Sequence, residues 1–233
     1  MIEVQINDKE THEYASGITA GDILLNVYGK RNGAIAANIN GIERDMSFII
    51  NENCKIEPIL GDSEEGLYIL RHSCAHLLAQ AVVEMFPDAK PTIGPPIEHG
   101  FYYDFHMKPI GDNDLKKIEK RMGQLVRENI TILREEHENN ELREIFKENK
   151  FKIEIMDEKI GNEVGSTTYR QGDFVDLCRG PHVPSTSHLR WFKLTSTSQA
   201  YWRADRNREP LTRIYGMCSV SYTHLRAHET SID

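Results

Sequence analysis

Cysteine is scarce in this chain. The four present, Cys54, Cys74, Cys178 and Cys218, form no Cys-x-x-Cys pair, which argues against a disulfide framework and fits a reducing compartment. Long apolar runs are missing too. No stretch approaches the ~20 residues needed to cross a bilayer, and the opening residues lack the basic and apolar blocks of an export signal. No membrane association is expected, and a cytoplasmic location is. Internal repeats and low-complexity tracts are absent. Net basic charge is also absent: the formal charge of −8 argues against indiscriminate nucleic-acid binding. What remains, 39% apolar and 27% charged residues in a chain of 233, is ordinary globular composition with room for one or two cores.

The charge is unevenly placed. Between Arg170 and Arg213 eight basic residues (Arg170, Arg179, Arg190, Lys193, Arg203, Arg206, Arg208, Arg213) face four acidic ones (Asp173, Asp176, Asp205, Glu209), a local +4, so the rest of the chain carries −12. Trp191, Phe192, Tyr201 and Trp202 are interleaved with these cations. Phosphate contacts with base stacking would use such a segment; so would a solvated edge with buried aromatics.

Two short histidine motifs lie about a hundred residues apart: Arg71-His72-Ser73-Cys74-Ala75-His76 and Asp176-Leu177-Cys178-Arg179-Gly180-Pro181-His182. The first falls in the apolar stretch Leu70 to Phe86, which has helical spacing, so His72 and His76 share a face. Cys74 lies off that face and reads as packing. In the second motif Gly180-Pro181 breaks regular structure and turns the chain between Cys178 and His182. Two chemistries suit this set. His72, His76, Cys178 and His182 form a Cys/His₃ zinc quartet. Equally, neutral imidazoles can relay a proton from water while Asp176 holds a cationic group, with no metal involved.

Residues 1–61 read as a small unit. Ile2 to Ile6 alternates as a strand, Thr19 caps a short helix reaching Tyr28, and strands at 34–40, 47–50 and 54–60 follow, with Asn40-Gly41 as a turn. This order suggests a β-grasp module. A polar linker, Gly61 to Gly66, leads to the second unit. There the His72 helix is followed by a rigid loop at 91–96, a strand at 100–105 and a helix from Asn113 to Asn129. Lys152 to Ile155 and Thr167 to Arg170 read as strands, Arg134 to Glu148 as a solvated helix, and Phe174 to Leu177 as the lead-in to the second motif.

Residues 1–216 resemble the N-terminal half of bacterial threonyl-tRNA synthetases. The resemblance rests on Arg71 to Leu78, Ile93 to Pro96 with Gly100 to Asp104, Phe174 to Pro184, Phe192 to Leu194, Ala200 to Asp205 and Arg213 to Gly216. It implies an α+β chain: a ubiquitin-like β-grasp (TGS) domain at 1–61 and an α+β tRNA editing domain at 62–216. The implied function is hydrolysis of mischarged seryl-tRNA(Thr). Serine differs from threonine by one methyl, which a binding pocket resolves by only about 10–200-fold. On the matching positions the resemblance assigns His72, His76, Lys152, Cys178 and His182 to catalysis, and Asp176 and Tyr103 to substrate. Asp176 would take the α-ammonium, Lys152 and His72 the water and ribose hydroxyls, and His76, Cys178 and His182 the hydroxymethyl pocket. Read without the resemblance, Lys152 is a strand-edge solubility residue.

The resemblance also implies that editing needs no cofactor, although the related alanyl-tRNA editing proteins hold zinc on a similar quartet. ATP and a further zinc belong to the family's catalytic domain, which has no counterpart here, so aminoacylation is not expected. The expected partner is the tRNA(Thr) acceptor end, the expected state a monomer. A tRNA-binding module with an inert cleft is the competing reading. The tail, 217–233, matches neither the family nor any periodicity and reads as foreign; His224 and His228 receive no function.

Overall fold

The computed structural model describes all residues except 7–9, 31, 160–164, 224 and 226–233. In the N-terminal unit, β1 (Ile2–Ile6) pairs antiparallel with β2 (Glu10–Tyr14), and alternation turns Ile2, Val4 and Ile6 inward. The short β3 (Ile18–Thr19) enters α1 (Ala20–Tyr28), whose first turn is capped by the Thr19 hydroxyl accepting from the Asp22 N–H at 3.1 Å. Strands β4 (Ala34–Ile39) and β5 (Ile42–Arg44) meet at Asn40-Gly41, both at positive φ as a tight hairpin turn requires. Next come β6 (Ile49–Ile50), which pairs with β3, and β7 (Cys54–Leu60), parallel to β1. The sheet order β2-β1-β7-β4-β5, with Ile23 and Leu24 of α1 packed in one core with Val4 and Ile56, is a β-grasp arrangement.

The larger unit is built around α2 (Glu64–Met85), which carries the first histidine motif. Its apolar residues are buried nearly all round, as expected of a helix passing through a core. It packs against α3 (Asp112–Glu128) and against β10 (Gly100–His106) and β15 (Pro210–Ser219). With β8 (Lys90–Pro91), β9 (Pro96–Ile97) and β14 (Trp191–Tyr201), these strands form one antiparallel sheet. A second sheet, β11 (Ile132–Glu138), β12 (Gly165–Gln171) and β13 (Phe174–Leu177), leads into the second motif. Helices α4 (Asn139–Ile145) and α5 (Lys150–Lys159) lie between its first two strands in sequence. Ile35, Ala36 and Ile59 of the N-terminal unit join the main core.

Several local expectations change. Lys152 to Ile155 is helical, not a strand: its period-two pattern is coincidental within α5, where Phe151, Lys152, Ile155 and Met156 make the buried face. Asn149 Oδ1 accepts from the N–H groups of Phe151 and Lys152 and so starts that helix. The charged stretch 134–148 divides into strand β11 and helix α4, with Glu138 and Glu141 forming a reciprocal capping box at the junction. The polar stretch 61–66 is no loose tether. Ser63 Oγ accepts the Gly66 N–H at 3.0 Å, and a Cβ on Gly66 would lie 1.8 Å from the Leu60 carbonyl oxygen, so the helix starts directly against the end of β7. Finally, Met217 to Ser219 complete β15 opposite Trp191 to Lys193. The tail's first residues therefore have strand order; His224 and His228 lie outside the described residues.

Candidate functional site

α2, β10, α5, β13 and the loop after β13 converge on a cavity of about 290 Å³. Its floor is a buried ion pair. Lys152 Nζ lies 2.5 Å from Asp176 Oδ1, the Tyr103 hydroxyl donates to Asp176 Oδ2 at 2.5 Å, and Lys152 Nζ donates to the Tyr103 oxygen at 3.2 Å. Lys152, Asp176 and Tyr103 are 1–3% exposed. Gly94 lets this cluster close: a Cβ there would stand 2.0 Å from the Tyr103 ring. Burial pushes the Asp176 carboxyl upward, but Lys152 and His76 outweigh it and hold the group below the usual carboxylate range. Burial, reinforced by the carboxylate, pushes the Tyr103 hydroxyl well up, so it stays protonated and donates.

The imidazoles stand beside this pair. His76 Nε2 is 3.8 Å from Asp176 Oδ2, and the His72 and His76 rings meet edge to face at 5.2 Å. Cys178 Sγ is 3.4 Å from His72 Nε2 and 3.3 Å from His182 Nε2, and it accepts from the Gly180 N–H. Burial lowers His72 to about 3 and His76 to about 4, Asp176 opposing in each case. His182 is lowered well below its ordinary value, first by burial and then by the other two rings. Burial pushes the Cys178 thiol up to about 12. Two neutral imidazoles and a neutral thiol thus share one wall at pH 7, with the third imidazole, His182, also neutral.

Six of the seven expected site residues line the cavity: His72, His76, Tyr103, Lys152, Asp176 and Cys178. His182 does not. It sits behind the wall, 1% exposed, between the rings of His72, His76 and Tyr169 at 4.4, 4.2 and 4.4 Å, with the Ser73 hydroxyl 3.0 Å from its Nδ1. Ser73 also accepts the Val183 N–H at 3.1 Å. Sequence reading missed Ser73, Tyr169 and Asp45. Ser73 had a signal, since it follows His72 within the motif and points from the next helical position. Cys74 is buried as expected, its Sγ 2.9 Å from that of Cys218. At the mouth stand exposed Tyr68, Lys159 and Arg179.

The basic segment is less free than its charge sum suggests. Arg170 pairs with Glu135, Lys193 with Glu119, Arg203 with Glu158, Arg208 with Glu154 and Arg213 with Asp104. Trp202 is core, 2% exposed, packed on Phe151, while Trp191 remains 38% exposed.

These elements have clear relatives. Residues 166–215 match the family described as the threonyl and alanyl tRNA synthetase second additional domain, a span holding Asp176, Cys178 and His182. A threonine–tRNA ligase from Rubrobacter xylanophilus is 42% identical over 231 residues, 98% of this chain and 36% of the relative. The chain is homologous to the N-terminal part of threonyl-tRNA synthetase. The threonine–tRNA ligase of Ehrlichia canis is 43% identical over 232 residues, again 98% of this chain and 36% of the relative. That of Thermoplasma volcanium is 47% identical over 189 residues, 81% of this chain and 28% of the relative. The chain thus spans about a third of the length of the synthetases it matches. Among the described residues no helix is long and apolar enough to cross a membrane.

The donor set also fits a metal. The ligand atoms of His72, His76, Cys178 and His182 lie within 4.8 Å of one another, against separations of about 3.3–3.8 Å in a zinc tetrahedron. These four would hold a zinc ion, which would supply a structural clamp, because four protein ligands leave no open position for water. A metal-free site, which the resemblance leads one to expect, would use the same donors as neutral hydrogen-bonding groups instead. Metal analysis of purified protein is expected to find well under one zinc per chain, and chelation to leave the melting temperature unchanged.

Proposed function

We propose that the chain edits tRNA by hydrolysis, cleaving the ester of mischarged seryl-tRNA(Thr) and releasing serine. The observation that carries this reading is the buried Lys152–Asp176–Tyr103 cluster at the floor of an open cavity. A tRNA-binding surface has no need of a desolvated ion pair, which costs several kcal/mol per ion to bury. The homology to threonyl-tRNA synthetase supports the substrate class.

The aminoacyl end of tRNA(Thr) enters past Tyr68, Lys159 and Arg179, an aromatic face for the terminal base and two cations for phosphates. A carboxylate offers about four acceptor sites, and three on Asp176 are taken by Lys152, Tyr103 and the Leu177 N–H. The fourth, on the His76 side of Oδ2, receives the substrate's α-ammonium. Lys152 and His72 orient the attacking water and the ribose hydroxyls. With a pKa near 3, His72 is a weak base, so its contribution is alignment by hydrogen bonding rather than full proton abstraction. His76 and Cys178 shape the space for the hydroxymethyl group, backed by His182. An added methyl would meet this wall, so threonine is spared.

Deacylation of seryl-tRNA(Thr) and threonyl-tRNA(Thr), measured at high enzyme concentration, tests this. Serine is released at least tenfold faster than threonine, and His72→Ala or Lys152→Ala removes most of that release. Release of neither from folded protein would refute hydrolysis and leave a binding module.

A further inference from the structure

Asp45 lies between β5 and β6 in the N-terminal unit, yet the residue is only 8% exposed and its carboxylate faces the larger unit. Oδ1 accepts the backbone N–H of His182, 137 positions away, at 2.9 Å. Oδ2 accepts the Tyr169 hydroxyl at 2.6 Å. Both bonds converge on the turn between Cys178 and His182. Gly180 sits there at φ 70°, and a Cβ on it would lie 1.8 Å from the Tyr169 hydroxyl. The Tyr169 ring packs 4.4 Å from the His182 imidazole, which in turn backs His72 and His76. One carboxylate therefore ties β12, the second-motif turn and the N-terminal unit together.

We propose that Asp45 is a positioning residue through which the N-terminal unit holds the Cys178–His182 turn in its site-forming shape. Among the described residues the two groups that donate to it have no other hydrogen-bond acceptor: the His182 amide and the Tyr169 hydroxyl are buried, and each would be left unsatisfied without it. The turn lies on no regular element, so its shape depends on such bonds rather than on a ladder of its own. The catalytic consequence rests on the editing reading given above. The geometric one does not.

The test uses the whole chain and two readouts. The first is hydrogen exchange of the 178–183 backbone. Asp45→Ala accelerates exchange at His182 by about tenfold or more. Asp45→Asn, whose amide can accept from His182 N–H and donate to the tyrosine oxygen, stays within about threefold of wild type. Ile56→Val loosens the core of the same N-terminal unit without touching the turn and leaves exchange there unchanged. The second readout is deacylation: Asp45→Ala lowers kcat by about tenfold with KM within about twofold, and Asp45→Asn restores it. Should Asp45→Ala not fold, Tyr169→Phe removes one of the two bonds and serves in its place. Wild-type exchange in the Asp45→Ala or Tyr169→Phe protein overturns the proposal, as does equal acceleration by Ile56→Val. Wild-type protein that deacylates neither substrate defeats the editing reading, while the exchange comparison still decides the role of Asp45.

Discussion

Asp176→Asn lowers seryl-tRNA hydrolysis by about 10²–10³-fold, the loss typical when one preorganised charged group is taken from a water-poor site. It also destabilises the fold. The substitution leaves Lys152, 3% exposed, without its counter-ion, and breaking a buried pair from one side costs about 3–5 kcal/mol. For a chain of this size that is a fall in Tm on the order of 10 °C. Stability and chemistry separate in the double variant Lys152→Met with Asp176→Leu. Replacing both charges by apolar groups of similar volume is often neutral or stabilising, so Tm recovers towards wild type while hydrolysis stays lost. Thermal melts and single-turnover deacylation on the three proteins check this. A double variant that regains hydrolysis along with Tm would show that the pair serves folding alone.

Acidification from pH 7 to pH 5 lowers Tm by roughly 10 °C, the second large effect. In the unfolded chain each histidine titrates near 6.5; in the folded chain His72 and His76 resist protonation until about 3 and about 4, and His182 shifts in the same direction. Below 6.5 the unfolded state therefore binds more protons, and stability present at neutral pH is lost as pH falls through the window from 6.5 towards 4 and 3. At pH 5 His72 and His76 each withdraw on the order of 2 kcal/mol, His182 acts in the same direction, and each kcal/mol moves Tm by about 2–4 °C. Asp176 adds nothing in this range, because its folded pKa is depressed and its contribution disappears only at more acid pH. Melting curves from pH 7 to pH 5, repeated on His72→Gln, provide the check: the variant shows a shallower pH dependence. A Tm unchanged across that range would mean that these imidazoles do not resist protonation.

The two motifs were legible because each is local. His72 and His76 are four apart on a helix whose apolar content is plain from residue order, and Gly180-Pro181 marks a turn whatever surrounds it. The Thr19 cap and the Asn40-Gly41 turn were legible for the same reason. Lys152 was not. Its neighbours alternate as a strand would, and what makes them helical is the burial of Phe151 and Ile155 with Trp202 and Leu211 and of Met156 with Leu142 and Phe146, together with the Asn149 cap. The charged stretch 134–148 misled similarly: its polar residues suit an exposed helix, but β11 is set by pairing with β12, a partner about thirty residues distant.

Residue order alone settles the helix that carries His72 and His76, the turn between Cys178 and His182, and the donor types available, because helical period, turn chemistry and the functional groups of side chains belong to the residues themselves and their neighbours. Folding decided the rest. The pairing of Lys152 with Asp176, the retreat of His182 behind the wall, the neutralisation of most of the basic segment by distant acids, and the reach of Asp45 into the second motif all join residues far apart in sequence. Their distances and desolvation exist only once the core has closed around them, and no local pattern encodes either.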